Sequence, residues 1–144
     1  TYPKYRIKKE REDTKNTWWK DMAKVFLDTN LFIDAVHRKP KNLILEKLVS
    51  HFVLISPLSV HIYCYTYKIK IPNEILGGQL KKFSLVDISG EIIQKSLEGP
   101  TADLEDNIQL HSSAEAECNY FLTNDKNLLK MKFFGKTQVV NNFI

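Results

Sequence analysis

One stretch decides the fold of this 144-residue chain: Val25-Phe26-Leu27-Asp28-Thr29-Asn30. Its three leading residues follow Lys24 and make the short apolar run that is typical of a buried strand. Asp28 ends the run, and the apolar residues that follow Asn30 recur at helical spacing as far as His37. The stretch therefore predicts a buried strand that passes directly into a helix, with a carboxylate at the junction.

Strands and helices are predicted to alternate along the rest of the chain. Apolar runs predict further strands at 52–55, 83–88, 120–123 and 137–140, and helical patterns predict helices at 41–50, 57–67, 72–82, 89–98, 101–117 and 125–130. Continuous apolar strands that are separated by helices are typical of a parallel sheet covered on both faces. We therefore predict an α/β fold, a three-layer α/β/α sandwich around a central five-stranded parallel sheet.

Composition separates a leading segment from the body of the chain. The formal charge is +4 and 43% of the residues are hydrophobic, which indicates one globular domain with a modest basic excess. Residues 1–21 hold most of that excess, few aliphatic residues and the pair Trp18-Trp19. We therefore predict a basic, tryptophan-containing extension at 1–21 and a folded domain at 22–144.

Neither a membrane nor an oxidising compartment is indicated. The apolar runs are too short to span a bilayer, and the polar, basic opening residues do not form a signal segment. Cys64 and Cys118 are too few for a disulfide framework and lack the spacing of metal ligands. We therefore expect a cytoplasmic protein. Gly77-Gly78 follows no predicted strand and precedes no Lys-Ser/Thr pair, which argues against a nucleotide-binding domain.

Acidic residues follow two of the predicted strands. Asp28 ends the first strand and Asp125 follows the fourth, while Asp103 and Asp106 share the first turn of the helix between them. Because parallel strands end at the same edge of a sheet, we expect these carboxylates to lie close together. Crowded carboxylates repel one another unless a cation lies between them, and Mg²⁺ or Mn²⁺ prefers such oxygen ligands. The pattern therefore predicts a metal site suited to phosphodiester hydrolysis.

Each acid also has a purely structural explanation. An aspartate at the end of a strand usually forms a turn or caps a helix, and this explanation applies to Asp28 and Asp125 taken singly. Asp103 lies where a helix cap is expected, so for this residue the cap is the better interpretation. Only the coincidence of these acids at one sheet edge favours a metal site.

Two segments resemble the PIN-domain family. Residues 25–34 (Val-Phe-Leu-Asp-Thr-Asn-Leu-Phe-Ile-Asp) are similar to the strand that opens these domains, whose first catalytic carboxylate corresponds to Asp28. Residues 120–125 (Tyr-Phe-Leu-Thr-Asn-Asp) are similar to the family's fourth strand, where Asp125 is a catalytic carboxylate and Thr123 a hydroxyl beside the metal. Both motifs occur in the family's order and spacing.

A third segment, residues 104–114, resembles the later helix of the family, in which an aspartate heads an amphipathic stretch of small residues. The resemblance implies the strand order 3-2-1-4-5 and a metal-dependent endoribonuclease that uses Mg²⁺ or Mn²⁺. Our hypothesis for the site makes Asp28, Asp106 and Asp125 the catalytic, metal-binding carboxylates. It adds Asp103 as an auxiliary metal ligand, and Asn30 and Thr123 as residues that orient ligands or water.

Within the family, the chain resembles VapC-like toxins, which are bacterial endoribonucleases held inactive by an antitoxin. The resemblance implies an RNA substrate, a cognate antitoxin and a homodimer. Residues 22–25 (Met-Ala-Lys-Val) are similar to the start of a PIN domain, so residues 1–21 look appended. Such antitoxins combine aromatic anchors with an arginine that reaches the carboxylate pocket, as Trp18-Trp19 and Arg6 or Arg11 would. The alternatives for the segment are an extension packed on the core and a basic arm that holds RNA.

The chain departs from the family at the second carboxylate, a glutamate on the helix after the second strand. The matching residues 56–65 contain no acid. His61 lies there, but a single histidine on such a helix is more often a surface residue than a ligand, and Asp103 is another source of a carboxylate. Two alternative functions follow: a PIN-like module that binds RNA or protein without cleavage, and a regulatory subunit whose pocket receives a partner's arginine.

Overall fold

The computed structural model describes residues 22–38 and 43–142. Its elements, in chain order, are β1 (Lys24–Leu27), α1 (Thr29–Ile33, continued by a π-helical turn at Asp34–Arg38), α2 (Leu43–Leu48), β2 (Phe52–Ile55), α3 (Pro57–Thr66), α4 (Glu74–Leu80), β3 (Ser84–Leu85), α5 (Gly90–Glu98), α6 (Leu104–Glu115), β4 (Tyr120–Leu122), α7 (Lys126–Leu129), β5 (Phe133–Phe134) and β6 (Thr137–Val140). The extension predicted at 1–21 lies outside the described residues, so its boundary and its antitoxin-like interpretation stay predictions.

The central sheet is mostly parallel and is flanked by helices, as predicted. Its strand order is β3-β2-β1-β4-β6-β5, and every neighbouring pair is parallel except β5 with β6. The five parallel strands follow the order that the family resemblance implies. The prediction of five strands is wrong, however, because the short antiparallel strand β5 adds a sixth at the edge. Gly135, with a φ of +60°, adopts the left-handed conformation that lets the chain reverse between β5 and β6.

The strand predicted at 83–88 is shorter than expected. Its strand residues are Ser84 and Leu85, followed by one hydrogen bond from the Val86 N–H to the Ile55 carbonyl oxygen of β2, and Leu85 is 47% exposed at the sheet edge. An edge strand has a neighbour on one side only, so fewer backbone hydrogen bonds stabilise it than stabilise a central strand.

Within the described part of the chain, no helix is long and apolar enough to cross a membrane.

Alternate residues of the central strands enter two separate hydrophobic clusters. Val25 of β1 packs in one cluster with Phe32 of α1, whereas the next residue, Phe26, packs in the other with Leu110 of α6. Phe26 also stacks on Phe121 of β4, with ring centroids 5.5 Å apart. Both faces of the sheet are buried because helices cover them. The edge of the sheet at the carboxyl ends of the strands is left to form the site.

Candidate metal centre

Asp28 lies at the carboxyl end of β1, where α1 begins. Its Oδ1 caps α1 by accepting a hydrogen bond from the Leu31 backbone N–H at 2.9 Å, and its Oδ2 accepts one from Thr123 Oγ1 at 2.5 Å. Burial raises the pKa of Asp28 above its usual value, and the charges of Asp125 and Glu105 raise it further. The two hydrogen bonds lower the pKa and offset part of this rise.

Thr123 follows β4, the strand that pairs with β1. The parallel register places Leu27 beside Leu122, so the residues that come next, Asp28 and Thr123, emerge together. Thr123 is fully buried, and its Oγ1 also accepts a hydrogen bond from the Asp125 backbone N–H at 3.0 Å. Asp125 in turn caps α7, where backbone N–H groups donate to its Oδ1 at 2.8 and 3.3 Å. One buried hydroxyl therefore links the two acidic strand ends.

The start of α6 brings a further carboxylate to this edge. Asp106 is half-buried in the first turn, and no hydrogen bond from the described residues reaches its carboxylate. The pKa of Asp106 is raised to about 6, first by burial and then by nearby negative charges. Those charges belong to Asp103, Asp125, Glu105 and Asp28. The acids of the two strand ends and of α6 therefore act on one another electrostatically.

Asn107 fixes the position at which α6 begins. Its side chain is 3% exposed and donates hydrogen bonds from Nδ2 to the carbonyl oxygens of Ser96 and Thr101, at 2.9 and 3.0 Å. Its Oδ1 accepts from the backbone N–H and the hydroxyl of Thr101, at 2.9 and 2.7 Å. This residue was missed at the sequence level, although a polar side chain on the buried face of a helix is a usable signal.

These elements surround a cleft of ≈480 Å³. The acids that line it are Asp28, Asp34, Glu105, Asp106 and Asp125. Arg38 is the only basic side chain among the described residues of the cleft, and its Nε lies 2.8 Å from Asp34 Oδ1. Its Nη2 also donates to the backbone and side-chain oxygens of Asn30, at 2.7 and 3.3 Å. The arginine thus neutralises Asp34 and leaves four acids in the cleft without a basic partner among the described residues.

The donors of the cleft suit a hard divalent cation in chemistry and in charge, since they are carboxylate oxygens in excess over basic groups. Within residues 22–38 and 43–142, however, no three Asp, Glu, His or Cys side chains are grouped so that they could hold a metal ion as they stand. Asp28 and Asp125 both use carboxylate oxygens to cap helices. The acids therefore share a cleft without forming a preassembled set of ligands.

Most of the site residues predicted from the sequence meet at this cleft. Asp28, Asp106, Asp125 and Asn30 line it, and Thr123 is bonded to Asp28. Asp103 does not line the cleft. It caps α6 instead, because its Oδ1 accepts a hydrogen bond from the Asp106 backbone N–H at 2.9 Å.

Other residues of the cleft were missed at the sequence level. Glu105 precedes Asp106 and Asp34 closes the first motif, so both were visible as acids, whereas nothing local indicated a role for Arg38 or Gln109. His61, the alternative ligand on α3, is exposed, stacks on Tyr65 and does not line the cleft.

No protein-family model matches this sequence, and no characterised protein matches it in sequence. Six chains of solved structures match the fold. One belongs to VapBC2 from Rickettsia felis, whose crystal structure contains a DNA fragment of the promoter. It shares 15% sequence identity with this chain at a TM-score of 0.59, and the match covers 81% of this chain and 96% of that chain. The fold is PIN-like. At 15% identity, this likeness establishes the fold of the chain and no more.

Proposed function

We propose that this PIN-like chain is a metal-dependent endoribonuclease that hydrolyses RNA phosphodiester bonds, and that it is the toxin of a toxin–antitoxin pair. The observation that carries the proposal is the meeting of Asp28, Asp106 and Asp125 at one cleft. These acids come from three separate parts of the chain, and the cleft lies at the carboxyl edge of a parallel sheet, where such folds bind their ligands.

In this proposal, Asp28, Asp106 and Asp125 would bind Mg²⁺ or Mn²⁺, and Asp103, which caps α6 and does not line the cleft, is not among the ligands. A divalent ion held by these residues would supply an activated water and would neutralise charge on the phosphate. Thr123 holds the Asp28 carboxylate in place through its hydrogen bond. The basic pI, ≈ 9.0, is compatible with a phosphate-bearing substrate.

The test is the substitution Asp28→Asn, which removes a charge from the cleft at nearly constant volume. We expect it to abolish Mn²⁺-dependent cleavage of single-stranded RNA while the circular dichroism spectrum stays unchanged. Asp87→Asn is the matched control, because Asp87 is exposed and does not line the cleft. Equal cleavage by Asp28→Asn and the unaltered protein would contradict the proposal.

A second candidate function is a PIN-like module that binds RNA or a protein without cleaving RNA. Two observations favour it: α3 contributes no acid to the cleft, and the described acids form no ready-made metal-binding group. Calorimetric titration with Mn²⁺ separates the two candidates. Saturable binding at millimolar metal or below supports the nuclease, whereas its absence supports the binding module.

We further propose a cognate antitoxin as the partner, and a homodimer as the assembly. The support is the fold likeness to a chain of the VapBC2 complex, together with the resemblance of the sequence to VapC-like toxins. A small DNA-binding protein encoded beside this chain, and its co-purification with this chain, would support the partner. A monomeric mass in light scattering would contradict the dimer. If the unaltered protein shows no nuclease activity and Asp28→Asn binds the partner more weakly, the two results would instead favour a regulatory subunit.

A further inference from the structure

Helix α3 contains no acid, so any further carboxylate in the cleft must come from another element. No residue of α3 lines the cleft, and α3 contacts the β1–α1 junction through the hydroxyl of Ser59, 2.8 Å from Thr29 Oγ1. Helix α6, by contrast, carries a second acid, Glu105, directly before Asp106. Glu105 is half-buried and lines the cleft.

Gln109 holds the Glu105 side chain. It lies one turn further along α6, and its Nε2 donates a hydrogen bond to Glu105 Oε2 at 3.1 Å. The bond fixes the orientation of the amide, because the reversed amide would place its oxygen against a carboxylate oxygen. Gln109 is only 1% exposed and the bond is part-buried, so this contact is partly shielded from water and restrains Glu105 more than a surface bond does.

The same orientation leaves the other end of the amide unsatisfied. Gln109 Oε1 is buried and accepts no hydrogen bond from the described part of the chain, although Gln109 lines the cleft. Buried polar groups are normally satisfied, so an unpaired amide oxygen beside carboxylates indicates a ligand that accepts oxygen donors. A divalent cation is such a ligand, and it would also relieve the repulsion among the acids.

Glu105 shares the cleft with two of the proposed ligands. Its side chain lines the same cleft as Asp28 and Asp106. Asp103, by contrast, caps α6 with its carboxylate and does not line the cleft. Of the two additional acids near the start of α6, Glu105 is the one placed to add a ligand.

We propose that Glu105, oriented by Gln109, supplies a carboxylate to a divalent cation in the cleft in place of the acid that α3 lacks. Gln109 is a positioning residue in this arrangement, and its amide oxygen is an additional donor toward the cation. The inference rests on the proposed metal-dependent function, and its experiment keeps the two apart.

The experiment is calorimetric titration of the full chain with Mn²⁺ alone, without RNA. Glu105→Gln and Gln109→Leu are each expected to lower the Mn²⁺ affinity by about 10- to 100-fold. Glu115→Gln is the matched control, since it makes the same change at an exposed position at the end of α6 and should bind Mn²⁺ like the parent protein. The rise in thermal unfolding temperature caused by Mn²⁺ should shrink in the first two variants and persist in the control.

Asp28→Asn distinguishes failure of the inference from failure of the proposed function. If Asp28→Asn binds Mn²⁺ as tightly as the parent, the proposed metal site is wrong. If Asp28→Asn loses affinity while Glu105→Gln retains it, Glu105 is not a ligand and only the present inference is overturned. Glu105→Gln is nearly isosteric at a half-buried position, so it decides the matter even where Gln109→Leu fails to fold.

Discussion

Thr123 Oγ1 donates a hydrogen bond of 2.5 Å to Asp28 Oδ2 and so joins two residues that are 95 positions apart in the chain. The bond spans the ends of the neighbouring strands β4 and β1, and both side chains are buried. A short hydrogen bond to a charged acceptor is stronger than a neutral one, and here it keeps a desolvated carboxylate in a single orientation. The position of Asp28 in the cleft therefore depends on the pairing of β1 with β4.

Substitution of Thr123 by valine is expected to weaken the fold. The methyl group keeps the shape of the side chain but removes the donor, so the free energy of unfolding at neutral pH should fall by about 1–3 kcal/mol. The pKa of Asp28 should rise further, because the hydrogen bond that lowers it is lost. Urea denaturation tests the stability. Thr66→Val, at an exposed position, is the control and should change stability by less than about 0.5 kcal/mol; equal losses in the two variants would refute the prediction.

Substitution of Asp106 by asparagine is expected to stabilise the metal-free protein at neutral pH. The pKa of Asp106 is raised from 3.8 to about 6, so the folded state holds the proton more tightly than the unfolded state does between these values. Stability therefore falls as the pH rises through this window, and the whole penalty is present above about 6. Because the side chain is only half-buried, solvent screening reduces the expected gain in Asp106→Asn to roughly 1 kcal/mol.

Chemical denaturation of Asp106→Asn and the parent in the presence of EDTA, on both sides of this window, tests the prediction. The difference between the two proteins should be largest above the raised pKa and should vanish below the unfolded-state value of 3.8. Asp87→Asn serves as the control, since Asp87 is exposed and lies away from the cleft. A destabilised Asp106→Asn at neutral pH would show that burial of the charged Asp106 carboxylate beside other acids does not cost stability.

Substitution of Arg38 by glutamine is expected to change the affinities for cations and for RNA in opposite directions. Removal of the positive charge frees Asp34 and makes the cleft more negative, so Mn²⁺ should bind several-fold more tightly. RNA should bind more weakly, because a guanidinium that can contact phosphate is lost. The unfolding free energy should change by less than about 1 kcal/mol, as is usual for a partly exposed ion pair.

Calorimetry with Mn²⁺ and fluorescence anisotropy with labelled RNA measure the two affinities of the Arg38→Gln variant, the latter in an Asp28→Asn background that prevents cleavage. Lys95→Gln is the matched control, because Lys95 forms an ion pair of the same spacing with Glu91 and does not line the cleft. An RNA affinity that is unchanged relative to this control, or a weaker Mn²⁺ affinity, would contradict the proposed role of the arginine charge.

Truncation of Phe121 to alanine is expected to cost about 3–5 kcal/mol, since it opens a cavity where two fully buried rings stack between β1 and β4. Phe133 offers the control. It is 56% exposed on the edge strand β5, so Phe133→Ala should cost less than about 1 kcal/mol. Guanidinium denaturation compares the two, and a similar loss in both variants would mean that the Phe26–Phe121 stack does not anchor the sheet.

Local pattern determined most of the elements. The strands at 24–27, 52–55 and 137–140 were predicted at or close to their observed bounds, because short apolar runs flanked by polar residues are distinctive. The helix cap Asp103 was likewise visible, since it precedes a helical pattern. The short strand β5 was not visible, because two residues are too few to show a periodicity and their pairing depends on the turn that follows.

The candidate site was predictable only in part. Asp28 and Asp125 follow strands, so topology alone placed them at one edge of the sheet. The pattern placed Asp103 and Asp106 in one turn of the helix between those strands, and the resemblance to PIN domains selected Asp106. Tertiary structure decided which of the acids around the start of α6 face the cleft: Glu105 lines it and Asp103 caps the helix. Successive residues of a helix point in directions about 100° apart, so the rotation of α6 about its axis relative to the sheet decides which of these acids face the cleft.

The sequence by itself therefore determined that this chain is an α/β protein with carboxylates after its first and fourth strands, because strand runs, caps and helical periods are local properties. Only the tertiary structure decided the contents of the cleft. The bond from Thr123 to Asp28, the arginine paired with Asp34 and the half-satisfied amide of Gln109 all join residues through packing. Burial gives these contacts their strength, and burial is a property of the whole fold.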